Sequence, residues 1–174
     1  MPAPPRGIQN TGQIAVTIET FQSLIQTVTQ FINGRPLDKT LQAALNERFP
    51  FGGADYNRIF ETCKTAEQEG WMCQYEGGGV RYGRVIKPCD DLDGYSVDVV
   101  HMHNIAGPHH RHPNGEIDLI MPLEGDAKFD GQAGGWLVYG PDSAHSPTVS
   151  DGDALVLYLL PQGKIEFTRP AAKA

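Results

Sequence analysis

A mainly β domain preceded by three helices is the fold class this sequence predicts. Three observations carry it. Apolar residues recur at three- and four-residue spacing as far as Gly70. The pattern then breaks at Glu76-Gly-Gly-Gly79. From Val80 onward, short runs with strand character are separated by closely spaced turn signals.

The helical part comes first. Ile18, Phe21, Leu24, Ile25, Val28, Phe31 and Ile32 form one apolar face, and Asn33-Gly34 is a stop signal. Asp38 is placed to cap a second helix carrying Leu41, Ala44 and Leu45, which Pro50 ends. A third helix is predicted from near Asp55 through Ile59, Phe60, Cys63 and Ala66, stopping at Gly70. These helices make an N-terminal segment, residues 1–76, that packs on a β domain spanning 77–174.

In the second part, residues 80–86 read as a strand, and Tyr95, Val97 and Val99 alternate with Ser96 and Asp98. Further strands are predicted over 117–121, 127–129, 136–139, 154–160 and 165–168. Asp93-Gly94, Glu124-Gly125, Asp130-Gly131, Gly140-Pro141, Asp151-Gly152 and Gln162-Gly163 supply the turns. So many short strands at such spacing indicate a sandwich or small barrel.

Composition narrows the function classes. A chain of 174 residues suits one sizeable core. With 14 basic and 21 acidic residues, a net charge of −7 argues against a nucleic-acid footprint and against an anionic membrane surface. No apolar run approaches the roughly 20 residues that span a bilayer. The start, Met1-Pro-Ala-Pro-Pro-Arg, lacks the layout of a secretion signal and reads as a loose tail. Cys63, Cys73 and Cys89 are odd in number and lack metal-site spacing, which points to free thiols in a reducing cytoplasm.

The chemistry is concentrated in the histidines. All six fall between positions 101 and 145. His110 and His112 are two apart, so an extended strand turns both to one side. Glu116 follows a Pro113-Asn114-Gly115 bend and can return to the same centre, and His145 follows a Gly140-Pro141 turn. Three imidazoles and a carboxylate suit one divalent transition metal ion with positions left open for substrate or water. Iron, manganese and zinc all fit such donors.

These residues resemble the two motifs of the cupin superfamily. The first is His-x-His, three or four residues, then Glu and a later Gly. It matches His110, His112, Glu116 and Gly125, with a slightly longer hairpin. The second runs Gly, five residues, Pro-x-Gly, two residues, His. It matches Gly135 and Pro141-Asp-Ser143-Ala-His145, with serine in place of glycine and one residue fewer. The resemblance implies a small β-barrel or jelly roll, here preceded by the three-helix segment. By fold-level analogy it also implies a homodimer.

The stretches 107–122, Gly-Pro-His-His-Arg-His-Pro-Asn-Gly-Glu-Ile-Asp-Leu-Ile-Met-Pro, and 135–141, Gly-Trp-Leu-Val-Tyr-Gly-Pro, further resemble the 4-hydroxylaminobenzoate lyases of nitrobenzoate degradation. Chain length and the helical first part fit that family too. The resemblance implies conversion of 4-hydroxylaminobenzoate and water to protocatechuate and ammonia. That reaction is redox-neutral and uses no molecular oxygen, so the metal acts as a Lewis acid.

Other site residues follow from strand alternation. Asp118 is two past Glu116 and faces the same interior, either as a general acid or base or as a partner orienting a histidine. Arg84 shares a face with Val80, Tyr82 and Ile86, where it either anchors the carboxylate of a small aromatic substrate or forms a structural ion pair. Tyr82 joins it as a substrate-binding candidate. His101 and His103 share a face with Val97 and Val99; His103 is a pocket candidate, with a hydrogen-bonded core or rim position as the alternative. Tyr139 and Trp136 offer aromatic surface for a benzoate ring or for packing, and His109 points away from His110. Two other readings stay open. One is a different metal-cupin enzyme, such as a dioxygenase or a dimethylsulfoniopropionate-lyase-like protein. The other is a non-catalytic sensor, which would be expected to carry a partner domain.

Overall fold

The structure, a computed structural model, describes residues 16–168. The proline-rich start therefore lies outside the described residues. Helices α1 (Ile18–Ile32), α2 (Lys39–Arg48) and α3 (Ala54–Glu69) come first. Thr17 closes a capping box with Thr20 on α1, Asp38 accepts from Leu41 N on α2, and Gly70 ends α3 in the left-handed conformation (φ +87°).

Among the described residues nine strands follow: β1 (Tyr75–Gly77), β2 (Val80–Ile86), β3 (Tyr95–Ala106), β4 (His110–His112), β5 (Glu116–Phe129), β6 (Gly135–Tyr139), β7 (Ser143–His145), β8 (Thr148–Pro161) and β9 (Glu166–Phe167). They form an antiparallel six-stranded sheet, β1-β2-β3-β8-β5-β6, and a three-stranded sheet, β7-β4-β9. Three helices followed by two antiparallel sheets that enclose an interior match the mainly β domain behind a three-helix segment that the sequence predicts.

The large sheet is buried on both faces. On its outer face Val97, Val99, Ile117, Leu119, Leu155 and Leu157 pack with Phe21, Ile25, Leu45, Ile59 and Cys63 of the helices. On its inner face Val100, Met102, Ile120, Phe129, Val156 and Leu160 form a second cluster. Double burial explains why 154–160 is an unbroken apolar run rather than an alternation.

Helix α2 has a different task, which explains its polar composition. Asn46 donates to Trp136 O and accepts from Trp136 N, while Gln42 accepts from Val138 N and Lys39 donates to Val138 O. These side chains bond to the open edge of β6 as a neighbouring strand would, and so cover it.

Two expected turns are absent. Glu124-Gly125 and Asp151-Gly152 lie inside β5 and β8, paired with each other: Gly125 opposes Gly152 and Glu124 opposes Asp153. The register shifts there, so these turn-like residues form a bulge in two continuous strands. Gly152 is required: at φ +149° a Cβ would stand 2.1 Å from Glu124 O. The strand 117–121 and the strand 127–129 are thus one element.

Candidate active site

Strand β4 is only three residues long, and its alternation turns His110 and His112 inward while Arg111 is held outside by Glu166 and Asp142. β4 pairs with β7 so that His110 opposes His145 and His112 opposes Ser143. The bend at 113–115 then starts β5 with Glu116 on the same centre. Gly115 makes the bend possible. It sits at φ +88°, and a Cβ there would lie 2.7 Å from Leu37 Cδ2 and 2.8 Å from Tyr139 O.

One ligand atom from each of His110, His112, Glu116 and His145 lies within 4.8 Å of the others. His112 and Glu116 are fully buried, and His112 Nε2 and both Glu116 oxygens have no hydrogen-bond partner. His112 Nε2, His145 Nε2 and His110 Nε2 stand 3.2, 3.4 and 3.5 Å from the Glu116 carboxylate. Buried polar atoms left unbonded yet converging on one point are costly unless a cation satisfies them. The donor set therefore fits a divalent transition metal.

His145 Nε2 and His110 Nε2 lie 3.0 Å apart, within hydrogen-bond distance, and the far sides of the His112 and His145 rings show how their Nε2 atoms are turned to the cluster. Ser143 Oγ donates to Gly140 O at 2.6 Å, so it accepts from His112 Nδ1 at 2.9 Å and leaves Nε2 bare. His145 Nδ1 donates to Asp130 Oδ2 at 2.5 Å, which turns its Nε2 to the cluster. Asp130 Oδ2 also accepts from the Tyr139 hydroxyl, and Oδ1 accepts from Thr148 N at 2.9 Å.

Electrostatics follow from these contacts. Burial would raise the Glu116 carboxyl, but the three histidines outweigh it and hold it well below the usual range. Burial would lower the His145 imidazole, but Asp130 and Glu116 raise it to about 9. Asp118 is pushed well above its ordinary value, by burial first and then by Glu116.

The His145 shift has a measurable consequence. Below about pH 9 the metal-free protein holds a proton on this imidazole, and an ion must displace it. Affinity for a divalent ion is therefore expected to fall about tenfold per unit as pH drops from about 8 to 6. Calorimetric titration of the metal-free protein across that range would show it, and a flat profile would mean that His145 is already neutral.

A cavity of about 530 Å³ opens beside the cluster, between the two sheets. Its walls are mainly apolar, with Val100, Met102 and Pro147 opposite Ile165 and Phe167, and His110 is the cluster residue that lines it. Its size lies within the range for small-molecule sites.

Known proteins place this arrangement. A family model described as PnbB, 4-hydroxylaminobenzoate lyase, matches residues 23–167. The chain belongs to the 4-hydroxylaminobenzoate lyase family. It is 32% identical over 168 residues to a 4-hydroxylaminobenzoate lyase of Nocardioides sp. (strain LMS-CY), a match covering 88% of this chain and 99% of that protein. It is 29% identical over 151 residues to one of Pseudomonas putida, covering 75% and 86%. Solved structures that it resembles include a protein of Klebsiella pneumoniae with a double-stranded β-helix domain (TM-score 0.42, 18% identity, 59% of this chain and 94% of that one). Another is an RmlC-like cupin of Shewanella frigidimarina (TM-score 0.39, 16% identity, 52% and 83%).

In this member of the lyase family, the remaining sequence candidates divide. Tyr82 and Arg84 line the cavity. Arg84 is at the same time bound to Asp98, with Nε to Oδ1 at 2.9 Å and Nη2 to Oδ2 at 3.2 Å, and Nη2 also donates to Gly163 O. The face ascribed to Arg84 needs correction. A register shift between Arg84 and Ile86 turns Ile86 into the helix-side core, so it does not share the inner face with Val80.

His103 is not at the cavity: its side chain is 64% exposed on the rim, near Asp153. The parity with Val97 and Val99 holds, but that face packs on the helices, while Asp98, Val100 and Met102 face the cavity. His101 bridges Glu67 and Asp153 on the same outer face. Tyr139 lies behind the cluster, its ring against His112 and His145, rather than on the cavity wall. Trp136 is buried and donates to Phe49 O. His109 bonds Thr168 at the periphery. Asp118 faces inward beside Glu116, but both oxygens are occluded and bond to none of the histidines. The groups that do orient histidines are Ser143 and Asp130. Asp130 gave only a turn signal in the sequence, and Ser143 showed as a departure from the cupin motif. Cys63 and Cys73 are buried free thiols whose ionisation is suppressed, first by that burial. Among the described residues no helix is long and apolar enough to cross a membrane.

Proposed function

We propose that this protein is a metal-dependent lyase that converts 4-hydroxylaminobenzoate and water to protocatechuate and ammonia. The observation that carries the reading is the set of buried donors without partners, His112 Nε2 and both Glu116 oxygens, beside an apolar cavity in a chain of this family. His110, His112, Glu116 and His145 would hold one divalent ion, iron, manganese or zinc, whose Lewis acidity assists departure of hydroxide from nitrogen or entry of water.

The chain's own residues do the rest. Val100, Met102, Pro147 and Ile165 take the benzenoid ring and keep bulk water from it. Arg84 Nη1 makes no hydrogen bond among the described residues, and it is assigned to the substrate carboxylate with Tyr82 beside it. The hydroxylamino end then points toward His110. Asp118, occluded from the cavity, supports Glu116 from behind rather than touching substrate.

The test is turnover of 4-hydroxylaminobenzoate by metal-loaded protein without oxygen. Protocatechuate and ammonia are expected in equal amounts, and a chelator should abolish both. Strict dependence on oxygen, or no product from the loaded protein, would sink the proposal.

A further inference from the structure

Tyr158 was not among the sequence candidates because it sits in the apolar run of β8. Its Cα lies directly opposite Asp98 of β3 on one side and Asp118 of β5 on the other, and Asp98 in turn opposes Arg84 of β2. One rung across four strands thus reads Arg84, Asp98, Tyr158, Asp118, where neighbouring Cα atoms are about 5 Å apart. Tyr158 is third on that rung, two strands from Arg84 and next to Asp118, which is two residues from Glu116. Its ring packs 6.1 Å from Phe129, whose other side faces His145 at 6.0 Å.

The residue is only 5% exposed and lines the cavity, yet its hydroxyl makes no hydrogen bond among the described residues. Among the other phenols of the interior, that of Tyr95 also makes no hydrogen bond among the described residues, but Tyr95 packs on the helix side and does not line the cavity. The Tyr139 hydroxyl is spent on Asp130, and the Tyr56 hydroxyl is unpartnered but sealed in the helical core. Burial, with Glu116 and Asp118 nearby, keeps the Tyr158 phenol protonated, so it can only donate strongly. A buried hydroxyl normally finds a partner. Here the partner must come from the cavity.

We propose that Tyr158 is a further catalytic residue, whose hydroxyl donates a hydrogen bond to the oxygen of the substrate's hydroxylamino group. This rests on the proposed lyase reaction. With the carboxylate at Arg84, the opposite end of the ring comes to Tyr158 and His110. When the N–O bond breaks, its electron pair leaves with oxygen, and the phenol stabilises the charge that develops there. The phenol keeps its proton. The departing hydroxide is neutralised by the proton released when water adds to the ring, so no oxidant or reductant is required.

Tyr158→Phe removes only the hydroxyl. In the metal-loaded full chain it is expected to lower kcat by about 100-fold. KM, metal content and Tm should stay near wild type, as should inhibition by 4-aminobenzoate, which lacks the hydroxylamino oxygen. Unchanged kcat in an active protein overturns the role of Tyr158 and leaves the reaction standing. Loss of metal or of thermal stability in the variant also overturns it, because a hydroxyl without protein partners supports neither. A wild-type protein that forms no protocatechuate overturns the reaction and this role together.

Discussion

His112→Ala is expected to leave the protein without metal and to reduce protocatechuate formation on the order of 10³-fold or more. Of the four cluster residues, His112 combines full burial with an Nε2 that has no other partner. Its ring lies 4.7 Å from that of His110 and 4.8 Å from that of His145, which are themselves 4.7 Å apart, so it forms one corner of a triangle of imidazoles. Ser143 fixes its tautomer from behind, and among the described residues no fifth side chain belongs to the metal-binding group. The change also strips Glu116 of one of the three imidazoles that hold its carboxyl low, so the carboxylate loses part of what keeps it ionised. Metal analysis of the purified variant, with turnover measured in excess metal, checks both halves. Retention of one equivalent of metal with full activity would show that the ligand set is wrong.

The convergence of His110, His112 and Glu116 was legible because it depends on local geometry. Two-residue spacing on a strand and a glycine bend decide where His110, His112 and Glu116 point. The helices were legible for the same reason, since Asp38, Gly70 and the apolar spacing of α1 act within a few residues. What was not legible depends on contacts distant in the chain. Alternation on β3 separates two faces, but it cannot say which faces the cavity when helices bury the other, and His103 was misplaced on that account. A register shift after Arg84 is invisible to a period-two reading. Glu124-Gly125 and Asp151-Gly152 carry turn chemistry that becomes a bulge only because the two segments pair. Ser143 shows the same point favourably. The residue that breaks the cupin motif is the one that accepts from His112 Nδ1.

Asp130→Asn is expected to weaken metal binding by about 10- to 100-fold without removing any ligand. The carboxylate accepts from three donors: His145 Nδ1, the Tyr139 hydroxyl and Thr148 N. An amide of the same shape cannot do this. If its oxygen stays toward Thr148 N, its NH₂ faces His145 Nδ1 and drives the imidazole to the tautomer with hydrogen on Nε2. That proton then points at Glu116 and His110, where a lone pair is needed. If the amide flips, it meets the Thr148 N–H with another donor. Either way one interaction becomes repulsive. Loss of the Asp130 charge should also bring the His145 imidazole down from about 9, because Asp130 is one of the two groups that raise it. Proton competition would then fade at a lower pH than in the wild type. The variant should therefore combine weaker binding with a shallower dependence on pH above neutrality, a pairing that simple loss of packing would not produce. Tyr139→Phe is the matched comparison: it removes one donor to Asp130 and leaves the carboxylate, so its effect on metal affinity should be several-fold smaller. Equal affinities for Asp130→Asn and wild type at two pH values would show that His145 is oriented by its backbone alone.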